Sequence, residues 1–488
     1  VTDERAAHPG RPLPSAKPRR SSLGGTRQIE RLTCLVALVG LTILAGCAPN
    51  ASKSTSPLSG GATTDPRADA SAVSTQAASL VIVGRIVTMS DPAVAEAVLI
   101  EDGNVTAVGS RDEVLALAGD DVATFDIGRN VAYPGFIDAH AHWIGDREYY
   151  AIDTPAAAMD EALVRGWTSI SEQWVNPERL AELEGLAADD ALPLRVDAYL
   201  ALNYSHDFLG DWYTDREPGP VDDHLRVRGV KIHLDDGWGA EVLWKQAQLS
   251  AAVDTADEAG WQVSVHTASA AAGDLVLDAY ENAIGATGPN PLHHRIDHAL
   301  QVTDEQLARM VAMDLTTVIH PDGSTDWVRH GKFLGGLDRE QAGMSDGWLN
   351  RWRDFVDAGL HVAAASDMPW LFPDFDMTAD RGRSVDQIAA AIDGHGRAHP
   401  DVPQWTAAQL LTADQGLRAV TLDAAWALGD ETRRGHLAPG TLGDVTILSG
   451  DVTAATPEEI RAMTVAATIV GGVVIHCTDR TVCGDLAR

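Results

Sequence analysis

Between residues 134 and 434, eight short apolar runs alternate with longer amphipathic stretches, and this alternation constrains the fold more than any other feature of the chain. The runs lie at 135–140, 168–171, 195–202, 229–234, 262–266, 294–300, 316–319 and 361–365. Short apolar runs of this kind read as strands, and the segments between them carry the helical period. Helical stretches are expected at 240–259 and 303–313, the second capped by Thr303 with acids in its first turn. Eight βα units in about 300 residues is the arithmetic of an α/β fold, the (β/α)8 TIM barrel, whose active site forms at the C-terminal ends of the strands. A doubly wound open sheet is the alternative. It would carry a glycine-rich phosphate loop after the first strand, and this sequence has none there.

The residues that end the strands indicate chemistry. The first run ends in Phe136-Ile137-Asp138-Ala139-His140-Ala141-His142, and a period of two puts Asp138, His140 and His142 on one face. The fourth carries Lys231 and His233 on one face. The fifth ends at His266, the sixth in Asp297-His298, the seventh at His320 and the eighth in Ser366-Asp367. Ionisable groups leaving apolar strands cost several kcal/mol each unless they are paired or bound to metal. At one barrel mouth a divalent cation resolves that cost, because imidazoles and carboxylates are its usual ligands. Histidines satisfied by ordinary hydrogen bonds are the plainer alternative.

The flanking segments read differently. Residues 79–133 and 435–478 are rich in short β-type runs, so both ends of the mature chain are expected to form one small β-sandwich domain around the barrel at 134–434. Residues 1–46 have the build of a secretory signal: Arg27 and Arg31, an apolar run from Leu32 to Ala45, then Leu44-Ala45-Gly46-Cys47. That ending resembles a bacterial lipobox, which implies cleavage before Cys47, a lipid anchor on its sulfur and an exported protein at the outer face of the membrane. Residues 47–78, rich in Ser, Thr, Ala, Pro and Gly, suit a flexible tether. No stretch reaches the roughly 18–20 apolar residues of a membrane span. The 70 acidic against 37 basic residues give a net charge of −33, which disfavours nucleic acid as a partner. Four cysteines exclude a disulfide scaffold, although Cys477 and Cys483 are close enough in sequence to pair after export.

Tyr133-Pro134-Gly135-Phe136-Ile137-Asp138-Ala139-His140-Ala141-His142 resembles the signature of the amidohydrolase superfamily, and Gly435-His436-Leu437-Ala438-Pro439-Gly440-Thr441-Leu442-Gly443-Asp444-Val445 is similar to that superfamily's entry into its C-terminal sheet. Arg295-Ile296-Asp297-His298-Ala299 and Ala365-Ser366-Asp367-Met368-Pro369 look most like the YtcJ-like branch, amidohydrolase family 3. The resemblance implies that His140 and His142 bind a buried metal beside Asp367, that Lys231 is carboxylated to bridge two metals, and that His266 and His298 hold the second. It thus implies one or two divalent ions of the zinc kind. Lys231 has two rivals for this role: a pairing of its ammonium with Asp235, Asp236 or another acid at the mouth, and His233 as ligand on the same face. The chain departs from that branch in having only a short segment after His142, and in ending its seventh strand with Ile319-His320-Pro321 where a Gln-Pro pair is more usual.

The chemistry implied is metal-assisted hydrolysis of an amide-like C–N bond, with Asp367 as general base and then acid and His320 beside the developing oxyanion. Trp143, Trp174, Trp212, Trp238, Trp327, Trp348 and Trp370, seven of 13 tryptophans, fall in loops after strands and suggest an aromatic pocket for a small substrate, with Arg329 and Lys332 placed to hold a carboxylate. Two rival readings remain: a lipid-anchored solute-binding protein on a non-catalytic barrel, and a metal-dependent ester or phosphotriester hydrolase.

Overall fold

The computed structural model describes residues 79–119, 122–236, 241–323, 346–370, 381–395 and 407–478, together with 483 and 486. The expected signal, Cys47 and the tether lie outside the described residues.

The chain begins with four strands: β1 (Leu80–Val87), β2 (Val94–Glu101), β3 (Asn104–Gly109) and β4 (Ala123–Pro134). It then enters β5 (Phe136–Ala141), β6 (Trp167–Val175), β7 (Arg195–Ala201), the short β8 (Asn203–Tyr204), β9 (Asp207–Phe208) and β10 (Gly219–Pro220), and β11 (Leu225–His233). There follow β12 (Gln262–His266), β13 (Arg295–Asp297), β14 (Thr316–Ile319) and β15 (Val362–Ala364), and the chain returns through β16 (Val445–Leu448), β17 (Val465–Val470) and β18 (Val473–Cys477).

Eight of these strands pair in parallel in the order β5-β6-β7-β11-β12-β13-β14-β15, with a helix between each successive pair except β7 and β11, which β8, β9 and β10 connect. All eight expected strands are present. The sixth is shorter than expected because His298 and Ala299 take left-handed backbone angles, with φ of 68° and 43°, which turn the chain out of the sheet after Asp297. The helix expected at 303–313 forms as Asp304–Ala312, with Thr303 and Gln306 making a reciprocal cap. The helix expected at 240–259 starts later, at Gln246, because the Leu243 and Asp236 N–H groups instead bond to the Leu234 and Glu241 carbonyls.

The barrel closes between β15 and β5 without a regular ladder. Asp367 N–H donates to the His140 carbonyl and His142 N–H to the Met368 carbonyl, each at 2.9 Å. Asp138 fastens the same seam, accepting from Ser366 N–H at 2.8 Å, Ser366 Oγ at 2.5 Å and Trp143 Nε1 at 2.9 Å. Burial pushes the Asp138 carboxyl up to about 6 even so.

Both ends of the described chain join one second sheet, in the order β18-β17-β16-β4-β1-β2-β3. Its interior strand β1 is buried on both sides: Leu80 and Ile82 enter one apolar cluster, and Val81 and Val83 enter another beneath the helix Arg111–Leu117. That accounts for an uninterrupted apolar run in place of alternation. Cys477 and Cys483 are joined by a disulfide.

The sheet meets the barrel at Gly135, between β4 and β5. A Cβ there would stand 2.2 Å from Thr168 Oγ1 and 2.8 Å from Asp444 Cβ, so only glycine lets the strands approach this closely. Asp444, at the entry to β16, receives Arg195 from the foot of β7 through Nε at 2.6 Å and Nη2 at 2.8 Å.

Candidate metal centre

Parallel register stacks polar residues inside the barrel in two layers. Lys231 lies opposite Ser264 and Ser264 opposite Arg295; one step toward the mouth, His233 faces His266 and, two residues past Arg295, Asp297 faces His266. Asp297 is the hub of the lower part. Its Oδ2 accepts from Lys231 Nζ at 3.0 Å, Ser264 Oγ at 2.6 Å and Arg295 Nη2 at 3.3 Å, while Arg295 Nε stands 3.1 Å from Oδ1. Burial alone would raise this carboxyl, but Arg295, Lys231 and His140 outweigh it and hold Asp297 well below the ordinary range. The Arg295 guanidinium also lies over the Tyr199 ring at 4.6 Å.

His140 Nδ1 stands 2.6 Å from Asp297 Oδ2, so its N–H donates there and the Nε2 lone pair is turned outward. Burial first, then the Lys231 charge, keep His140 and His142 far below the usual imidazole range, and burial with neighbouring imidazoles does the same to His298. The rings are therefore neutral and their lone pairs available. Asp367 Oδ1 lies 3.3 Å from both His140 Nε2 and His142 Nε2, and Oδ2 lies 3.9 Å from His298 Nδ1. Lone pairs facing one another at that distance repel unless a proton or a cation lies between them. Tetrahedral ligands at the usual zinc distances stand about 3.3 Å apart, so the spacing suits a cation. His140, His298, His320 and Asp367 each offer a ligand atom within 4.8 Å of the others'. Ring centroids of His320 lie 4.3 Å from His298 and 5.0 Å from His140.

The other residues singled out in the sequence are arranged around this quartet. His142 touches it through Asp367, and its Nδ1 is 3.4 Å from Asp146 Oδ2. His266 Nε2 is 3.1 Å from Asp235 Oδ1, and Asp235 is itself held by Ala268 and Ser269 N–H and by Ser269 Oγ. His233 accepts from Ser205 N–H at 3.3 Å and packs 4.5 Å from His266. Lys231 pairs with Asp297, not with Asp235 or Asp236. His298 and Asp367 both have left-handed φ, 68° and 50°, a strain that is held where a side chain must be aimed.

The tryptophans divide. Trp174 and Trp370 flank His142, with rings 4.6 and 6.4 Å from it, and Tyr149, which the sequence reading missed, packs at a tilt 4.7 Å from Trp370. Trp143 is buried on Asp138, Trp212 donates to the Ala201 carbonyl, and Trp348 is partly exposed. Trp238, Trp327, Arg329 and Lys332 lie outside the described residues. Two carboxylates were also missed. Asp146 gathers Arg179, Trp370 Nε1 at 2.8 Å and His142, and Glu172, pushed up by burial to about 8, accepts from Ile144 and Gly145 N–H.

Comparison with known proteins gives a consistent picture. The model of a family described as "Amidohydrolase family" matches residues 146–476. The chain is 25% identical to the putative amidohydrolase YtcJ of Bacillus subtilis over 263 residues, covering 53% of this chain and 43% of that one. It is 26% identical to an N-substituted formamide deformylase of Arthrobacter pascens over 265 residues, 54% of this chain and 44% of that one. These alignments thus span less than half the length of either relative. A crystal structure of an uncharacterized metal-dependent hydrolase from Pyrococcus horikoshii superposes with a TM-score of 0.63 at 15% identity, covering 78% of this chain and 99% of that one, a likeness of fold.

Proposed function

The chain belongs to the amidohydrolase family, and from that premise we propose that it hydrolyses an amide-like C–N bond of a small N-acyl substrate. The observation that carries this reading is the convergence of neutral imidazoles on the Asp367 carboxylate at the end of the eighth barrel strand.

When bound, a divalent cation supplies Lewis acidity, lowering the pKa of water and polarising a carbonyl. The chain's own residues do the rest. His140 is fixed in one tautomer by Asp297, so its Nε2 always presents a lone pair. Asp367 turns Oδ1 toward the His140 and His142 Nε2 atoms and leaves Oδ2 to take the proton of the attacking water and return it to the leaving nitrogen. Burial raises the Asp367 carboxyl well above its ordinary value, as suits a group that must hold a proton in mid-reaction, while the Lys231 charge opposes the shift. Trp174, Trp370 and Tyr149 form an aromatic wall beside His142, which favours a substrate with an aromatic or apolar acyl or amine part. The relative named as an N-substituted formamide deformylase supports C–N cleavage.

The protein acts as an exported lipoprotein anchored at Cys47, and the Cys477–Cys483 disulfide supports a location outside a reducing cytosol. The test pairs wild type with Asp367→Asn on a panel of N-formyl and N-acyl arylamines and small polar amides. Wild type should release acid from the arylamides, and D367N should lose about 100-fold or more of that rate with its fold intact. Full activity in D367N removes the mechanism, and turnover of small polar amides alone removes the aromatic pocket. Binding without any turnover in wild type favours the solute-binding alternative. Labelling by fatty acid in wild type and its absence in Cys47→Ala checks the anchor.

A further inference from the structure

Among the described residues, the quartet that gathers most tightly is not the set a two-metal site would need. Among imidazoles and carboxylates it takes in His320, which follows β14, and leaves out His266. We infer that this chain binds a single divalent cation through His140, His298, His320 and Asp367, and that Lys231 serves as the counter-charge of Asp297 and not as a ligand. The inference rests on the proposed reading only in taking the quartet as a cation site.

Three observations carry it. First, the His320 ring completes the quartet, 4.3 Å from His298 and 5.0 Å from His140 between ring centroids, giving three imidazoles and one carboxylate, an ordinary zinc donor set. A glutamine at this position would offer only a weaker amide oxygen, so the imidazole at 320 changes what the seventh strand can contribute.

Second, Lys231 is committed elsewhere. Its Nζ donates to Asp297 Oδ2 at 3.0 Å, one layer below the mouth, in a network where the Asp297 charge is balanced by Lys231 and Arg295 together. Before any cation is bound, carboxylating Lys231 would leave two anions facing each other against one guanidinium, at a point that is 1% exposed or less. Like charges buried together carry several kcal/mol of penalty. The loss would also reach His140, because the same Oδ2 fixes that ring.

Third, the imidazole that would complete a second site stands 3.1 Å from a carboxylate, although its Nε2 makes no aligned hydrogen bond there. His266 Nε2 faces Asp235, whose carboxylate is fixed by two backbone N–H groups and Ser269 Oγ at the start of the helix Ala270–Ile284.

The experiment counts metal. The full chain is loaded with Zn2+ or Co2+, dialysed with and without bicarbonate, and analysed for metal per chain. Affinity is read by competition with a chromophoric chelator, and the ligand field from the visible spectrum of the cobalt form. We expect one cation per chain, independent of bicarbonate. His320→Gln should weaken binding by roughly 100-fold or more and alter the cobalt spectrum. Lys231→Arg keeps the positive charge on Asp297 but has no amine to carboxylate, and should still bind one cation. Two cations per chain, falling to one in K231R or without bicarbonate, would overturn the inference, as would an H320Q chain with unchanged affinity and spectrum. Should H320Q fail to fold, the wild-type count alone still decides. An H320Q chain that keeps its cation but loses turnover defeats the ligand role and leaves the hydrolase reading standing. A wild-type chain that binds one cation through His320 and hydrolyses nothing supports the inference and defeats that reading.

Discussion

Replacing Asp444 with Asn removes one negative charge from the junction of sheet and barrel and leaves the shape almost unchanged. Asp444 accepts from Arg195 Nε and Nη2 at 2.6 and 2.8 Å and from Gly471 N–H at 2.9 Å, and both side chains of the pair are less than a tenth exposed. The asparagine Oδ1 still accepts from Gly471 N–H and Arg195 Nη2, but Nε then faces an amide nitrogen and the guanidinium loses its counter-ion, with the Asp223 carbonyl still 2.7 Å from Nη1. Breaking a buried pair from one side costs about 3–5 kcal/mol. For a sheet and barrel of roughly 400 residues the unfolding entropy is about 0.8 kcal/mol per degree, so Tm should fall by about 4–6 °C. The sign with pH follows from the direction of the shift. Arg195 holds the Asp444 carboxyl below its ordinary value against the effect of burial. The pair's stabilisation is therefore fully present above the unfolded carboxylate pKa of about 3.9 and is lost as pH falls through the folded value. Calorimetry of wild type and D444N from pH 7 downward should show a deficit that is constant near neutrality and shrinks only below about pH 4. Turnover per folded molecule at 25 °C should be unchanged, because Asp444 lies at the foot of the barrel. A deficit under about 1 kcal/mol at pH 7, or one that persists undiminished into acid, would refute the reasoning.

Other substitutions probe separate parts of the structure. Cys477→Ser opens a loop of about seven residues, for which chain entropy gives about 2.4 kcal/mol, so Tm should fall by about 3 °C, and a reductant should do the same to wild type but nothing to the variant. Asp297→Asn leaves Lys231 and Arg295 without an anion and loosens His140, so cation affinity measured by chelator competition should drop about 10–100-fold. Trp370→Phe removes the indole donor to Asp146 while keeping an aromatic face. KM for an N-acyl arylamide should rise roughly five-fold, with kcat and small polar amides little changed, whereas an equal effect on all substrates would argue for a packing role.

Much of the scaffold was legible because strand and helix periods depend on local spacing. The run ending in His140-Ala141-His142 and the pair Ser366-Asp367 mark strand ends in the sequence, and their meeting across the barrel follows once eight βα units are counted. What remained hidden depended on non-local geometry. The sixth strand stops at Asp297 because two non-glycine residues adopt left-handed angles, which no apolar pattern announces. Asp297 read as one more acid beside a histidine, and only the register that sets Lys231, Ser264 and Arg295 one layer below it makes it the hub. Asp146 lies in a loop without period. Glu172 gave one signal, a carboxylate continuing an apolar strand, but the expected run ended at 171.

The junction where the barrel's last strand meets its first has a consequence for how the molecule ages and inactivates. Its two backbone bonds are made by His140, His142, Asp367 and Met368, so the hoop is tied at the same residues that gather the ligands. A cation seated there would act as a rivet, and filling the site would tighten the whole cylinder. Slippage of that tie would part the carboxylate from the imidazoles before any helix melted, so competence would vanish while most of the architecture still stood.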